Sequence, residues 1–218
     1  MTYPETIIFD LDGTLIHSAP DLQAAMNVAL SSLGREQLDL ATVISFIGNG
    51  VEVLVERSLR ATGKISSEIH RSALAAFLES YSQNMTALTR PYPGVIACLE
   101  ALKSADVRLG ICTNKPTGPA KDICDQLDLS RFFDVIAGAE PDQPKKPDAT
   151  PLLACIGAMG GTVPNSLYVG DSTVDYQTAK NADVSFRLYS RGYLNAGISD
   201  LADEYRFDYW THENFLRS

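Results

Sequence analysis

Thr6-Ile7-Ile8-Phe9-Asp10-Leu11-Asp12-Gly13-Thr14 is a short apolar run that stops on two carboxylates and a turn-forming glycine. Ile7, Ile8 and Phe9 have the character of a buried strand. Strand side chains alternate faces, so positions two apart point the same way where the strand ends. Asp10 and Asp12 are therefore expected to project together into a crevice just past the carboxyl edge of a sheet. Open α/β sheets bind their ligands there. Two neighbouring carboxylates repel unless a cation or a proton separates them. All-oxygen ligation favours a hard ion, magnesium first. The plain alternative is a strand ending in a solvated acidic turn, since Asp and Gly are common turn residues.

The chain has 218 residues, enough for a sizeable core and one or two domains. At 45% hydrophobic and 21% charged, its composition is that of a soluble globular protein. No apolar run approaches the roughly 18 residues that a membrane helix needs. The N-terminus enters the first strand within a few residues, so a cytoplasmic protein with no membrane partner is expected. The formal charge is −9 and no basic cluster stands out, which argues against nucleic acid as a partner. An acidic chain that handles an anionic substrate needs local help from a metal, a lysine or helix N-termini. Cys98, Cys112, Cys124 and Cys155 show no Cys-x-x-Cys spacing and are read as buried, reduced thiols.

After Thr14 the pattern turns helical for about seventy residues. Ser18 and Asp21 have capping-box spacing. Leu22, Ala25, Met26, Ala29, Leu30 and Leu33 follow at helical spacing up to Gly34. Asp39 is placed to cap a short helix through Phe46. Gly48-Asn49-Gly50 interrupts, a further helix runs to Gly63, and Ser66 or Ser67 opens a longer one through Tyr81. From Pro91 onward strands and helices alternate. Strands are expected at Val107 to Cys112, Phe133 to Ala137, Ser166 to Val169 and Val184 to Tyr189, with a last short one at Phe207 to Trp210. The expected fold class is α/β: a doubly wound, Rossmann-like parallel sheet covered on both faces, with an inserted all-helical cap. Residues 1–15 and 89–218 are assigned to the core and 16–88 to the cap. Linkers near 15–20 and 86–92 are expected to let the cap close.

Several strands end in polar groups that a fold alone does not require: Asp10 and Asp12, Thr113 and Asn114, and Asp171. Lys146 follows the third core strand, and Asp175 lies one helical turn past Asp171. In a parallel sheet these ends share one edge, so groups distant in sequence converge.

Asp10-x-Asp12-Gly13-Thr14, Thr113-Asn114, Lys146-Pro147 and Gly170-Asp171-x-x-x-Asp175 resemble, in order, the four motifs of haloacid dehalogenase-type hydrolases. The resemblance covers essentially the whole chain, with the helical insert at the position of that family's cap. It selects Lys146, next to Pro147, over the neighbouring Lys145 and Lys115, which are left as solvated lysines. Asp12 points to phosphoryl transfer, because true dehalogenases lack the second aspartate. The roles that the resemblance implies are chemically coherent. Asp10 is the nucleophile that forms an aspartyl-phosphate, and Asp12 the proton donor and acceptor. Thr113 and the backbone amides near Leu11 and Asn114 bind phosphoryl oxygens, and Lys146 supplies fixed positive charge. Asp10, the Asp12 carbonyl, Asp171 and Asp175 form the Mg2+ site, with Asp175 in direct contact or one step behind.

The segments from Asp12 to Asp21, Gly48 to Gly50, Arg90 to Gly94 and Thr113 to Pro116 resemble bacterial phosphoglycolate phosphatases. The implied partner is a small phosphate ester, 2-phosphoglycolate. Gly48, Asn49 and Gly50, ahead of a helix, could offer amides to a substrate carboxylate, or could simply form a helix–helix turn. A cap-gated phosphatase for pyrophosphate, a sugar phosphate or a nucleoside monophosphate is the alternative, as is a catalytically silent anion-binding module. Glu140 with Pro141-Asp142 is compatible with the family without being diagnostic, whereas Leu-Asn-Ala-Gly-Ile after Tyr193 departs from the usual continuation. His17 is given no role.

Overall fold

The computed structural model describes residues 2–194 and 196–216. In chain order it forms β1 (Thr6–Phe9), β2 (Ile16–His17), α1 (Ala19–Ser32), α2 (Leu40–Phe46), α3 (Val51–Thr62) and α4 (Ser67–Gln83). There follow β3 (Arg90–Pro91), α5 (Val95–Ser104), β4 (Arg108–Pro116), α6 (Thr117–Gln126), β5 (Val135–Ala139) and α7 (Thr150–Ala158). The chain closes with β6 (Ser166–Gly170), α8 (Thr173–Asn181), β7 (Ser185–Tyr189) and β8 (Arg206–Phe207).

The main sheet has the order β5-β4-β1-β6-β7-β8, and every pairing in it is parallel. β1 lies inside it, with Phe9 in register with Ile111 on one side and Val169 on the other. Its alternation divides the core. Ile7 and Phe9 pack with Leu109, Ile111, Val169 and the helices α5 and α6, while Ile8 joins Tyr168, Leu152, Ile156 and Ala179 on the opposite face. Both faces are thus covered by helices, as a doubly wound sheet requires.

Helices α1 to α4 lie between β1 and β4 in sequence and pack on one another. The chain leaves and re-enters the sheet through a two-stranded antiparallel ribbon, with Ile16 opposite Pro91 and His17 opposite Arg90. Periodicity does not reveal a pairing this short. The Asp39 cap of α2 and the Ser66 cap of α4 form as expected, each side chain accepting from the amide three residues on.

Ser18 and Asp21 do not form a capping box. Ser18 precedes α1 in an α-region conformation with no side-chain cap bond. Asp21 instead turns to the returning linker, where it accepts from the Leu88 and Thr89 amides and from Thr89 Oγ1 at 2.7–3.0 Å. β6 and β7 differ from the expected spans by one residue each, and three further strands differ by more. β4 runs on through Thr113 to Pro116, with a register shift after Cys112. β5 starts only at Val135, because Phe133 closes a 3₁₀ turn onto Ser130. β8 stops at Phe207, because Trp210 turns into an aromatic cluster with Phe9, Phe207 and Phe215. Asn195, in the Leu-Asn-Ala-Gly-Ile stretch, lies outside the described residues.

Asp21→Ala would strand the two amides and the hydroxyl that it accepts from. A loss of about 3 kcal/mol is expected, read as a lower urea midpoint at unchanged m-value. A loss below about 1 kcal/mol would mean that the tie does not anchor the ribbon.

Candidate active site

β1 ends at Phe9, and the Asp10 amide still bonds to Val169 O at 2.8 Å, so Asp10 is fixed by the sheet itself. The chain then turns tightly: the amides of Thr14, Leu15 and Ile16 all point at Leu11 O. Gly13 sits at φ 88°, where a Cβ would come within 2.3 Å of an Asp171 carboxylate oxygen. Only glycine fits there. Gly192 is equally constrained, since its Cβ would meet Asp171 Cβ and Gly13 O at 2.3 Å. The two glycines let the β1 turn and the segment after β7 close around Asp171.

Asp171 accepts from Thr14 Oγ1 at 2.6 Å and from the Tyr193 amide. Asp175, one turn into α8, caps that helix through Ser172 and also accepts from Tyr168 OH at 2.9 Å. Lys146 is buried, and its ammonium reaches Asp10 at 2.8 Å, Asp175 at 2.6 Å and Tyr168 OH at 2.8 Å. Lys145 beside it is exposed. The Lys146–Pro147 peptide is cis. The Asn114 side chain staples this loop to the end of β4. Its Oδ1 accepts from the Lys146 amide at 2.9 Å, while its Nδ2 donates to Lys146 O and to Gly48 O, each at 3.0 Å. Thr113 is buried beside it and accepts from the Lys115 amide.

Lys115 is not a solvated lysine. Its ammonium is buried between Asp12, at 3.1 and 3.3 Å, and the Tyr81 hydroxyl of α4, at 2.8 Å. Sequence patterning gave no sign of this, since Tyr81 reads only as an apolar position of its helix. Tyr168 and Tyr193, which hold Lys146, Asp175 and Asp171, were likewise read only as strand and loop residues. Tyr193 OH also accepts from the Ala19 amide and lies 3.0 Å from His17 Nδ1, which ties the ribbon to the site.

A small cavity of about 80 Å³ opens over these groups. Its floor is polar, with Asp10, Asp12, Thr113, Asn114, Lys115, Lys146 and Ser172; its roof, from α1, α3, α4 and the turn before α3, is mostly apolar, with Leu22, Ile47, Val51, Leu54, Phe77 and Leu78. Gly48 and Gly50 line it as well. Asn49 is not among the lining residues, and its Oδ1 accepts from Arg57 at 3.2 Å. Leu11 is fully buried in the core, so only its main chain is available to a ligand.

Asp10, Asp171 and Asp175 are all buried, with ligand oxygens within 4.8 Å of one another. Burial, then Asp175 and Asp10, pushes the Asp171 carboxyl well above the usual range. Burial raises Asp10 to about 6 in spite of Lys146. Burial also acts on Asp175, but Lys146 and the hydrogen bonds from Ser172 and Tyr168 outweigh it and hold the group low. An all-oxygen donor set short of positive charge fits a hard divalent cation. The four cysteines are free and buried. Burial pushes the thiols of Cys98, Cys112 and Cys124 up to about 12, so none is an activated nucleophile.

The chain matches the family model described as "Haloacid dehalogenase-like hydrolase" over residues 7–188. A protein named phosphoglycolate phosphatase from Cereibacter sphaeroides is 43% identical over 197 residues, covering 89% of each chain. Another of that name from Rhodospirillum rubrum is 37% identical over 210 residues, 94% of this chain and 87% of that one. A crystal structure described as a predicted phosphoglycolate phosphatase from Haemophilus somnus superposes with a TM-score of 0.85 at 31% identity, covering 89% of each chain.

An acid with a raised folded-state pKa loses stability as pH rises through the window between its unfolded and folded values. For metal-free protein that window runs from 3.8 to about 6 at Asp10. Metal-free Asp10→Asn is therefore expected to be at least as stable as the parent near neutral pH in urea unfolding. Its advantage should fade as the pH falls below the window. A variant clearly less stable than the parent at neutral pH would contradict this.

Proposed function

The chain belongs to the haloacid dehalogenase-like hydrolases and is a phosphatase, and we propose that it hydrolyses 2-phosphoglycolate to glycolate and phosphate with Mg2+ as cofactor. The observation that carries the reading is the convergence of Asp10, Asp12, Thr113, Lys146 and Asp171 from four separated segments, beneath a small cavity with an apolar roof. A cavity of this size favours a short ester over a nucleotide.

Asp10 attacks phosphorus through a carboxylate oxygen as the phosphorus–oxygen bond to the leaving alcohol breaks, giving an aspartyl-phosphate. Asp12 donates its proton to the departing oxygen. It then takes one from the water that attacks the phosphorus, and phosphate leaves with the Asp10 carboxylate restored. Lys146 fixes Asp10 by its 2.8 Å contact and offsets negative charge beside the phosphoryl group. Asp175 holds Lys146 in turn, at 2.6 Å. Thr113, with amides near Leu11 and Asn114, takes equatorial phosphoryl oxygens. Asp10, the Asp12 carbonyl and Asp171 would hold Mg2+, with Asp175 in direct contact or one step behind. When bound, the ion offsets the repulsion between nucleophile and phosphate. Residues 16–88 act as a cap whose apolar roof keeps water from the reacting groups.

Asp10→Asn is expected to cut phosphate release from 2-phosphoglycolate by more than about 10³-fold, and Asp12→Asn by about 10²–10⁴-fold. Steady-state assays with folding checked by circular dichroism test both. Full activity of Asp10→Asn would remove the nucleophile. Across a panel with pyrophosphate, sugar phosphates and nucleoside monophosphates, 2-phosphoglycolate is expected to rank first in kcat/KM. A low rank would overturn the substrate and leave the reaction class standing.

A further inference from the structure

The phosphoryl chemistry accounts for Lys146 but leaves a second buried ammonium, that of Lys115, without a task. Lys146 has three N–H groups and three oxygen partners. The Lys115 ammonium lies 3.1 and 3.3 Å from the two oxygens of the single Asp12 carboxylate and 2.8 Å from Tyr81 OH. One N–H shared by the Asp12 carboxylate and another given to Tyr81 would leave a third for a ligand, and Lys115 lines the cavity. Burial alone would lower its pKa, but Asp12 and the Tyr81 hydroxyl hold it above the ordinary value, so the group is a cation when a substrate arrives.

We propose that Lys115, with the Tyr81 hydroxyl beside it, receives the carboxylate of the substrate and sets the preference of the site for a short carboxylated phosphomonoester. The inference rests on the 2-phosphoglycolate reading and names the residue responsible for it. Connectivity supports the placement. To protonate the leaving oxygen, Asp12 must come within about 3 Å of it. In 2-phosphoglycolate one methylene separates that oxygen from the carboxylate carbon, so the carboxylate oxygens lie within about 4 Å of it at ordinary bond lengths. A cation touching Asp12 is therefore within reach of the carboxylate. The rival anion site, the turn at Gly48-Asn49-Gly50, is less suited. Gly48 turns its carbonyl oxygen toward Asn114, and the Asn49 side chain is occupied by Arg57. Tyr81 is stacked on Phe77 at 5.5 Å, so its hydroxyl is held by the roof rather than free to swing.

The test compares kcat/KM for 2-phosphoglycolate with that for 2-hydroxyethyl phosphate, which replaces the carboxylate by a neutral group of similar size. The parent should favour the carboxylated ester. Lys115→Met should lower that ratio at least about 10-fold, chiefly through KM of the carboxylated ester. Lys115→Arg should keep part of the ratio, and Tyr81→Phe should lower it about 3-fold. A lysine that only supported the fold would slow both esters alike. A parent preference that every folded variant retains overturns the role of Lys115 and leaves the substrate intact. A parent without the preference overturns the substrate reading, and this inference with it.

Discussion

The ammonium of Lys146 sits 2.8 Å from Asp10 and 2.6 Å from Asp175, buried with both, while Asp171 lies close by with no ammonium of its own among the described residues. Three carboxylates and one fixed cation are an uneven match inside a protein, where an unpaired charge is costly. Part of the imbalance is met by hydrogen bonds from Thr14, Ser172, Tyr168 and the Tyr193 amide. The rest would fall to a divalent ion. Much of the surrounding geometry serves this cluster: β1 fixes Asp10, Gly13 and Gly192 allow the chain to close on Asp171, and Asn114 holds the loop that carries Lys146.

The two buried lysines differ in position. Lys146 faces the sheet edge and Asp10, where the proposed reaction needs its charge. Lys115, one residue past the Asn114 staple, faces Asp12 and the helical insert. The polar contacts between insert and core include those of Tyr81 with Lys115 and of Gly48 O with Asn114. The Asp21 tie and the ribbon of β2 and β3 join the two where the chain crosses between them. The groups proposed for catalysis thus stand at strand ends and on the loop stapled to them, and those proposed to sense the remainder of a substrate lie where insert and core touch.

The alternating part of the fold was legible because its signals are local. Apolar runs at Ile7 to Phe9, closed by Asp10, and Leu167 to Val169, closed by Gly170-Asp171, report both the strand and the edge where it ends. The convergence of Asp10 and Asp171 follows from parallel topology, whereas Lys146, in a loop well past β5, was singled out only by the family resemblance. Partnerships between distant side chains were not legible. Lys115 meets Tyr81 and Asp12 across wide gaps in sequence, and a buried lysine is written with the same letter as a solvated one. Ser18 and Asp21 matched a capping pattern, but three donors on the returning linker outcompeted the helix end for the carboxylate. The pairings of β2 with β3 and of β7 with β8 are two residues deep, too short for any periodicity to register.

The dependence of the carboxylate cluster on a cation is tested most directly by stability. The thermal midpoint of chelator-treated protein would be followed at neutral pH as Mg2+ is raised, for the parent and for Asp171→Asn. A ligand that binds only the folded state raises the midpoint with concentration. The expected result is a rise of several degrees in the parent that largely disappears in Asp171→Asn. An unchanged midpoint in the parent, or an equal rise in both proteins, would show that Asp10, Asp171 and Asp175 do not form a cation site.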